Sequence, residues 1–165
     1  MLSDLVILFL IAHVAADYYL QSSSLARRKE TEVRALCLHA LIYCSAMLLC
    51  SLPFAFRDGQ WKLAAAALSL GALHAAADLV KFFLTREKRE RSPEVLAFLY
   101  VLDQAIHIAC LVLVLSRVSY TPPLPGKILR WVLLLSVIHK PANITASRCC
   151  CAGMKRSGRR TAPAR

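Results

Sequence analysis

The chain has 165 residues, of which 58% are hydrophobic and 19% are charged, and its mean hydropathy is +0.51. This composition excludes an ordinary soluble domain. The formal net charge of +11 does not indicate nucleic-acid binding, because the basic residues are confined mainly to short connectors and to the C-terminal tail. We therefore predict one polytopic membrane domain over residues 1–146 and a basic, disordered tail over residues 147–165.

Apolar stretches of membrane-spanning length occur five times, which predicts an all-α bundle of about five transmembrane helices. The first covers about residues 2–20. We interpret it as a spanning helix rather than a signal peptide, because the residues before the apolar run, Ser3 and Asp4 among them, carry no basic side chain. The second covers about residues 33–54 and is expected to end in a turn over residues 53–59, and the third covers about residues 61–84.

The second half of the chain holds the remaining two helices. The fourth covers about residues 94–118, with Ser92 as a candidate N-cap and Pro93 in the first turn. Residues 121–126 contain three prolines and cannot be helical, so they form a connector. The fifth helix covers about residues 127–144.

Basic residues are distributed unevenly between the two ends of these helices. Of the 21 lysines and arginines, 15 lie in the first connector, the third connector and the tail. Because positively charged connectors remain in the cytoplasm, we predict that the N-terminus is outside and the C-terminus is cytoplasmic.

The seven cysteines do not predict a disulfide framework. Four of them fall inside the apolar stretches and are expected to be small buried hydrophobic residues: Cys37, Cys44, Cys50 and Cys110. The other three, Cys149, Cys150 and Cys151, lack a second ligand pair at zinc-finger spacing, so a zinc knuckle is not expected, whereas lipidation stays an alternative.

Ionisable side chains are the unusual feature of the predicted helices. They are His13, His39, His74, His107, His139, Asp17, Asp78, Asp103 and Lys81. An Asp, Lys or Arg at the centre of a bilayer costs about 2.5 to 3.5 kcal/mol, so we expect these groups to face one another and to share a cation, a proton or hydrogen bonds. His139, beside Lys140 and Pro141, is instead interpreted as interfacial.

Helical spacing places these groups on one face of each helix. The sets are His13, Asp17 and Gln21; His74, Asp78 and Lys81; and Asp103 and His107. Residues 12–17 (AHVAAD) resemble residues 73–78 (LHAAAD), and a basic connector and a histidine-bearing helix follow each. We interpret this as a direct duplication of a two-helix hairpin, which would bring matching side chains together at the middle.

Imidazole and carboxylate groups are the ligands expected for zinc or manganese. We expect the metal ligands to be His13, Asp17, His39, His74, Asp78 and His107, with Gln21 and Gln104 as supporting hydrogen-bond partners. No HExxH motif is present, and a proton or ion relay or a purely structural hydrogen-bonded network remain alternatives. Tyr18, Tyr19 and Trp61 suit an aromatic belt at the membrane surface.

A family resemblance rests on these motifs taken together. They are His13-x3-Asp17-Tyr18-x2-Gln21, His39, His74-x3-Asp78-x2-Lys81 and Asp103-Gln104-x2-His107. The set resembles the bacterial membrane-protein family called Domain of Unknown Function 3307, over about residues 5 to 145. The resemblance implies a multi-pass helical protein of the bacterial inner membrane and assigns no activity. Members often continue with more helix after a Lys-Pro segment, so this chain resembles a shortened version.

The leading hypothesis from these residues is a membrane-embedded, metal-dependent hydrolase that acts on a lipid or lipid-linked substrate. Asp103 or Lys81 would assist proton transfer or stabilise charge, although Lys81 also suits a simple ion pair with an aspartate. A cation- or proton-coupled transporter or channel subunit and a structural membrane scaffold are the alternatives. Membrane lipids are the expected partners, a homodimer is possible, and no nucleic acid is expected.

Overall fold

The computed structural model describes residues 3–86 and 92–139, and all regular secondary structure in these two ranges is helical. This confirms the all-α prediction. The elements are α1 (Asp4–Val14), a π-helical turn (Ala15–Tyr19) that continues it, α2 (Ser23–Arg28), α3 (Val33–Asp58), α4 (Trp61–Arg86), α5 (Pro93–Leu115) and α6 (Gly126–Val137). The basic tail lies outside the described residues.

Short-range hydrogen bonds set the ends of several helices. Serine hydroxyls at the N-caps accept hydrogen bonds from backbone N–H groups three residues later, at Ser3, Ser22 and Ser92. Ser92 and Pro93 begin α5 as predicted. At the other end of α3, Gly59 has a φ of 65°, the left-handed conformation that closes a helix and that glycine adopts without strain.

The predicted end of the second helix near residue 54 is wrong, because α3 continues through Pro53 to Asp58. Proline removes one backbone donor, but Phe54 and Ala55 beyond it are buried in the core. Their packing stabilises the extra turn. Residues 53–59 are therefore mostly helix, and only Gly59 and Gln60 separate α3 from α4.

Three of the described helices are long and apolar enough to cross a membrane, over Val33–Asp58, Trp61–Leu84 and Glu94–Leu115. The other two predicted spans are shorter than expected: α1 has 11 residues before its π-helical turn, and α6 has 12. The chain leaves the first helix at Leu20, and Ser22 then begins the short α2, which the sequence did not predict.

The four helices that carry the buried histidines and aspartates form a ring in which α1 and α4 each pack against both α3 and α5. Phe9, Met47, Leu63 and Leu111 fill the core beside the polar residues. Helix α6 packs on the outside of α1, where Arg130 pairs with Asp4 at 3.2 Å. The ring therefore has an interior that is partly apolar and partly ionisable.

Large apolar side chains cover the outer surface of the ring. Examples are Leu41, Leu49, Phe83, Phe98 and Leu113, each of which is more than half exposed. An outer surface this apolar suits lipid rather than water. Cys37 also lies on this surface, which corrects the prediction that it is buried, while Cys44, Cys50 and Cys110 are half-buried.

Candidate metal centre

The ring encloses the ionisable residues that the sequence places on separate helices. The π-helical turn carries Asp17, at a position where π-helical turns often mark functional sites. His39 is fully buried, and four further members have exposed fractions below 10%: His74, Asp78, Asp103 and His107. The predicted convergence of imidazole and carboxylate groups is thus present in the structure.

Four side-chain atoms, one each from Asp17, His39, His74 and Asp78, come closest together. His39 Nε2 lies 3.0 Å from His74 Nε2, 3.4 Å from Asp17 Oδ1 and 3.3 Å from Asp78 Oδ2. His74 Nε2 lies 3.5 Å from Asp17 Oδ1 and 3.6 Å from Asp78 Oδ2. Each of the two imidazole nitrogens is thus a neighbour of both carboxylates.

Four of these five distances, 3.3 to 3.6 Å, are those expected between ligands of a tetrahedral ion, and the two imidazole nitrogens lie slightly closer together, at 3.0 Å. Corners about 3.3 to 3.6 Å apart surround a centre about 2.0 to 2.2 Å away, which is the length of zinc bonds to imidazole nitrogen and carboxylate oxygen. Two aspartates and two neutral imidazoles would also balance the charge of a divalent cation. Ligand atoms of His39, His74 and Asp78 all lie within 4.8 Å of one another and could therefore hold a metal ion, with Asp17 beside both imidazoles.

Unsatisfied buried atoms support the same conclusion. Within the described ranges, five buried side-chain atoms have no hydrogen-bond partner, and Asp17 Oδ1 is the one that faces the quartet; the others are Gln21 Oε1, His39 Nδ1, His74 Nδ1 and His107 Nε2. Buried polar atoms without partners cost free energy, and an ion would take up such lone pairs. Three overlapping groups have potential ligand atoms that all lie within 4.8 Å of one another: His13, Asp17 and His74; His39, His74 and Asp78; and Asp78, Asp103 and His107.

His13 is held beside the quartet by a residue that the sequence analysis did not single out. Its Nδ1 lies 3.2 Å from the hydroxyl of Tyr43, and its Nε2 lies 3.9 Å from Asp17. The ring of Tyr43 stacks on His74 with ring centres 3.6 Å apart. Tyr43 thus orients two of the six predicted ligands from α3, although a tyrosine inside an apolar helix gives no signal of this role.

The predicted catalytic pair lies on the α5 side of the quartet. Lys81 Nζ donates to Asp103 Oδ2 at 2.8 Å, and Gln104 Nε2 approaches the same oxygen at 3.5 Å. His107 Nδ1 donates to the backbone carbonyl of Asp103 at 2.7 Å, which leaves Nε2 as the nitrogen able to bind an ion. Lys81 and Asp103 therefore form an ion pair that is next to the quartet.

Lys29 is, besides Tyr43, a residue of the site that the sequence did not predict. It follows α2 in a connector whose basic residues were interpreted only as a topology signal. Its Nζ donates to Asp78 Oδ2 at 3.2 Å. Nearby, Arg28 pairs with Glu32 at 2.8 Å, and the hydrogen bond from Arg28 lowers the pKa of the Glu32 carboxyl. The connector is thus tied to the start of α3.

A polar cavity of about 110 Å³ opens beside the quartet. Its lining includes Asp17, Tyr18, Gln21, Lys29, Lys81, Tyr100, Asp103 and Gln104. Tyr18 donates to Gln104 at 3.0 Å and lies 2.7 Å from the Tyr100 hydroxyl, so it belongs to this cavity rather than to an aromatic belt alone. Gln104 makes hydrogen-bond contacts with Tyr18 and Asp103, whereas Gln21 lines the cavity with its Oε1 buried and without a partner.

His139 is not part of the cluster. Its ring stacks on Tyr19, with centres 6.3 Å apart, and the residue is exposed. This position agrees with the interpretation of His139 as interfacial. It also gives the chain a histidine away from the site that can serve as an experimental control.

Comparison with known proteins gives one match. A family described as "Protein of unknown function (DUF3307)" matches residues 5–133. This range contains all the residues of the quartet and of the polar cavity. No curated protein and no solved structure matches the chain.

Proposed function

Because the chain belongs to the DUF3307 family, which assigns no activity, we propose from the site itself that this is a membrane-embedded, metal-dependent hydrolase that acts on a lipid or lipid-linked substrate. The observation that carries the proposal is the quartet of Asp17, His39, His74 and Asp78, in which each imidazole Nε2 lies 3.3 to 3.6 Å from an oxygen of both aspartates. Zinc is the ion that these distances and donor atoms favour, ahead of manganese.

A zinc ion at this position would supply a bound water with a pKa near 7 and so a nucleophile at neutral pH. The surrounding residues would provide ligand exchange and proton transfer. Asp78 is the member of the quartet that also accepts a hydrogen bond from Lys29. A water or a substrate oxygen would therefore replace Asp78 more easily than the other ligands. The Lys81–Asp103 pair lines the cavity and can donate a proton to a leaving group.

The membrane arrangement in this proposal includes the two shorter helices. Helix α1, with its π-helical turn, and α6 lie in the bilayer beside the three long helices, with the N-terminus outside and the C-terminus in the cytoplasm of a bacterial inner membrane. Lys29 and the other basic residues of the first connector favour a cytoplasmic opening for the cavity. A lipid substrate would reach it from the inner leaflet. The proposed arrangement also includes a duplication, in which α1 with α3 and α4 with α5 would be the two copies of one hairpin.

Metal content is the direct test. The full chain, purified in detergent, dialysed against zinc and freed of unbound ion, is expected to retain about one zinc per chain as measured by mass spectrometry. Removal of the ion by a chelator should abolish hydrolysis of the lipid substrate, and zinc should restore it. A wild-type protein that never retains metal, or that hydrolyses equally well without it, would overturn the proposal.

Ion pairs inside the ring also favour a second function, a proton- or cation-coupled carrier. Lys29 with Asp78 and Lys81 with Asp103 are pairs of the kind found along proton paths. Flux into proteoliposomes that depends on pH and disappears in Asp17→Asn would favour the carrier. A scaffold would show neither metal-dependent hydrolysis nor flux, and single substitutions would then change only its stability.

A further inference from the structure

The cavity beside the quartet is lined by two lysines and by several neutral hydrogen-bonding groups. Lys29 enters it from the connector after α2, and Lys81 enters it from α4. The same two lysines share a second, smaller crevice with Asp78. Tyr18 and Tyr100 contribute hydroxyls, and Gln21 and Gln104 contribute amides, to the larger cavity. Asp17, Glu30 and Asp103 also line the cavity, so the attraction of an anionic group depends on the net charge of the site.

The net charge of the residues around this cavity would depend on whether the quartet holds an ion. Three carboxylates and two lysines belong to the site, namely Asp17, Asp78, Asp103, Lys29 and Lys81, and their formal charges sum to one net negative charge when all five are ionised. A divalent cation in the quartet changes that sum to one net positive charge. Glu30 also lines the cavity but is exposed, so solvent screens it. The ion would therefore convert a site that repels anions into one that attracts them.

Three separate cationic centres would then surround one small space: the ion, Lys29 and Lys81. A carboxylate offers two oxygens, whereas a phosphate group offers three or more and can contact all three centres at once. Lysine ammonium groups bind phosphate as point charges, without the fixed geometry that arginine imposes. The number and type of these centres favour a phosphate group over a carboxylate.

We propose that the cavity lined by Lys29 and Lys81 binds the phosphate group of the substrate, so that the hydrolase cleaves a phosphate ester or a phosphoanhydride. This inference rests on the proposed function. In the reaction a new P–O bond forms from water, the P–O bond to the leaving group breaks, and one proton of the water ends on the leaving oxygen. The phosphate can belong to a lipid headgroup or to a soluble compound, and the two sources share the same contacts.

The test uses the full chain in detergent, loaded with zinc and freed of unbound ion, and titrates it calorimetrically with inorganic phosphate and, separately, with micelles that contain phosphatidic acid. Both probes are expected to bind the loaded protein and not the metal-free protein. Lys29→Gln and Lys81→Gln should each weaken binding about tenfold or more, because each removes a charge-assisted hydrogen bond. Tighter binding of the micelles would identify a lipid source, and tighter binding of inorganic phosphate a soluble one.

Two controls separate the role of the lysines from effects on folding. Lys29→Arg and Lys81→Arg keep the charge and should retain most of the binding. Lys62→Gln removes an exposed lysine at the opposite end of α4 and should change nothing. Zinc-loaded protein that binds phosphate equally well after both glutamine substitutions would overturn this inference and leave the metal site standing. Failure to load zinc, measured before any titration, would instead overturn the proposed function.

Discussion

Replacing His39 with alanine is expected to abolish retention of zinc by the purified protein. His39 Nε2 lies between 3.0 and 3.4 Å from the other three atoms of the quartet, and the residue is completely buried. Loss of a supporting contact around a metal already lowers affinity by about 10- to 100-fold, so loss of a ligand should lower it by more than about 100-fold. Zinc content by mass spectrometry and zinc affinity by competition with a chelator measure the effect.

The thermal stability of the folded protein should also show the loss of zinc binding in His39→Ala. An ion present at about 1,000 times its dissociation constant stabilises the folded state by about 4 kcal/mol, so zinc should raise the thermal midpoint of the wild type but not of His39→Ala. His139→Ala removes the same type of side chain from an exposed position and serves as the matched control. If His39→Ala retained zinc as the wild type does, the quartet would not be the metal site.

Substitution of Gly71 with valine is expected to destabilise the protein and to weaken the metal site together. A Cβ atom at Gly71 would lie 2.8 Å from Cys44 Sγ, 3.1 Å from Cys44 Cβ and 3.4 Å from Cys44 Cα, so α3 and α4 would have to separate. Overpacking of this kind costs about 1 to 3 kcal/mol. His74 follows three residues later on the same side of α4, so the separation would also move it away from His39.

The measurements are the thermal midpoint in detergent and the affinity for zinc. Ala72→Val adds a similar side chain at the neighbouring exposed position and should leave both unchanged. Adding Cys44→Ala to Gly71→Val removes the sulfur atom from the contact and should recover part of the loss. Wild-type stability and zinc affinity in Gly71→Val would show that the close approach of α3 and α4 does not support the site.

The ionisable cluster could be predicted from the sequence because lipid makes unpaired charges costly. His13 and Asp17 share a helix face, as do His74 and Asp78, and groups of this kind have few alternatives to facing one another. All four members of the quartet are among the six ligands predicted from the sequence, but the sequence does not show which of the six lie closest together. That distinction depends on side-chain distances of a few tenths of an ångström, and helical spacing does not determine them.

Other features depend on tertiary packing and so gave no local signal. Lys29 lies in a basic connector, and membrane topology alone accounts for positive charge there. Its contact with Asp78 depends on the fold. Tyr43 resembles its apolar neighbours in α3 until its contact with His13 is known. Pro53 predicts the end of a helix, but burial of the residues beyond it outweighs the missing hydrogen bond.

The burial of Asp17 among groups from later helices also bears on how the protein is made. Its neighbours His39 and His74 lie further along the chain, and Asp78 leaves the ribosome about 60 residues after Asp17. At about 5 to 20 residues per second, this delay lasts about 3 to 12 seconds. His39 follows Asp17 by only 22 residues, whereas His74 and Asp78 are made at the end of this interval. The quartet is therefore complete only after α4 has been synthesised.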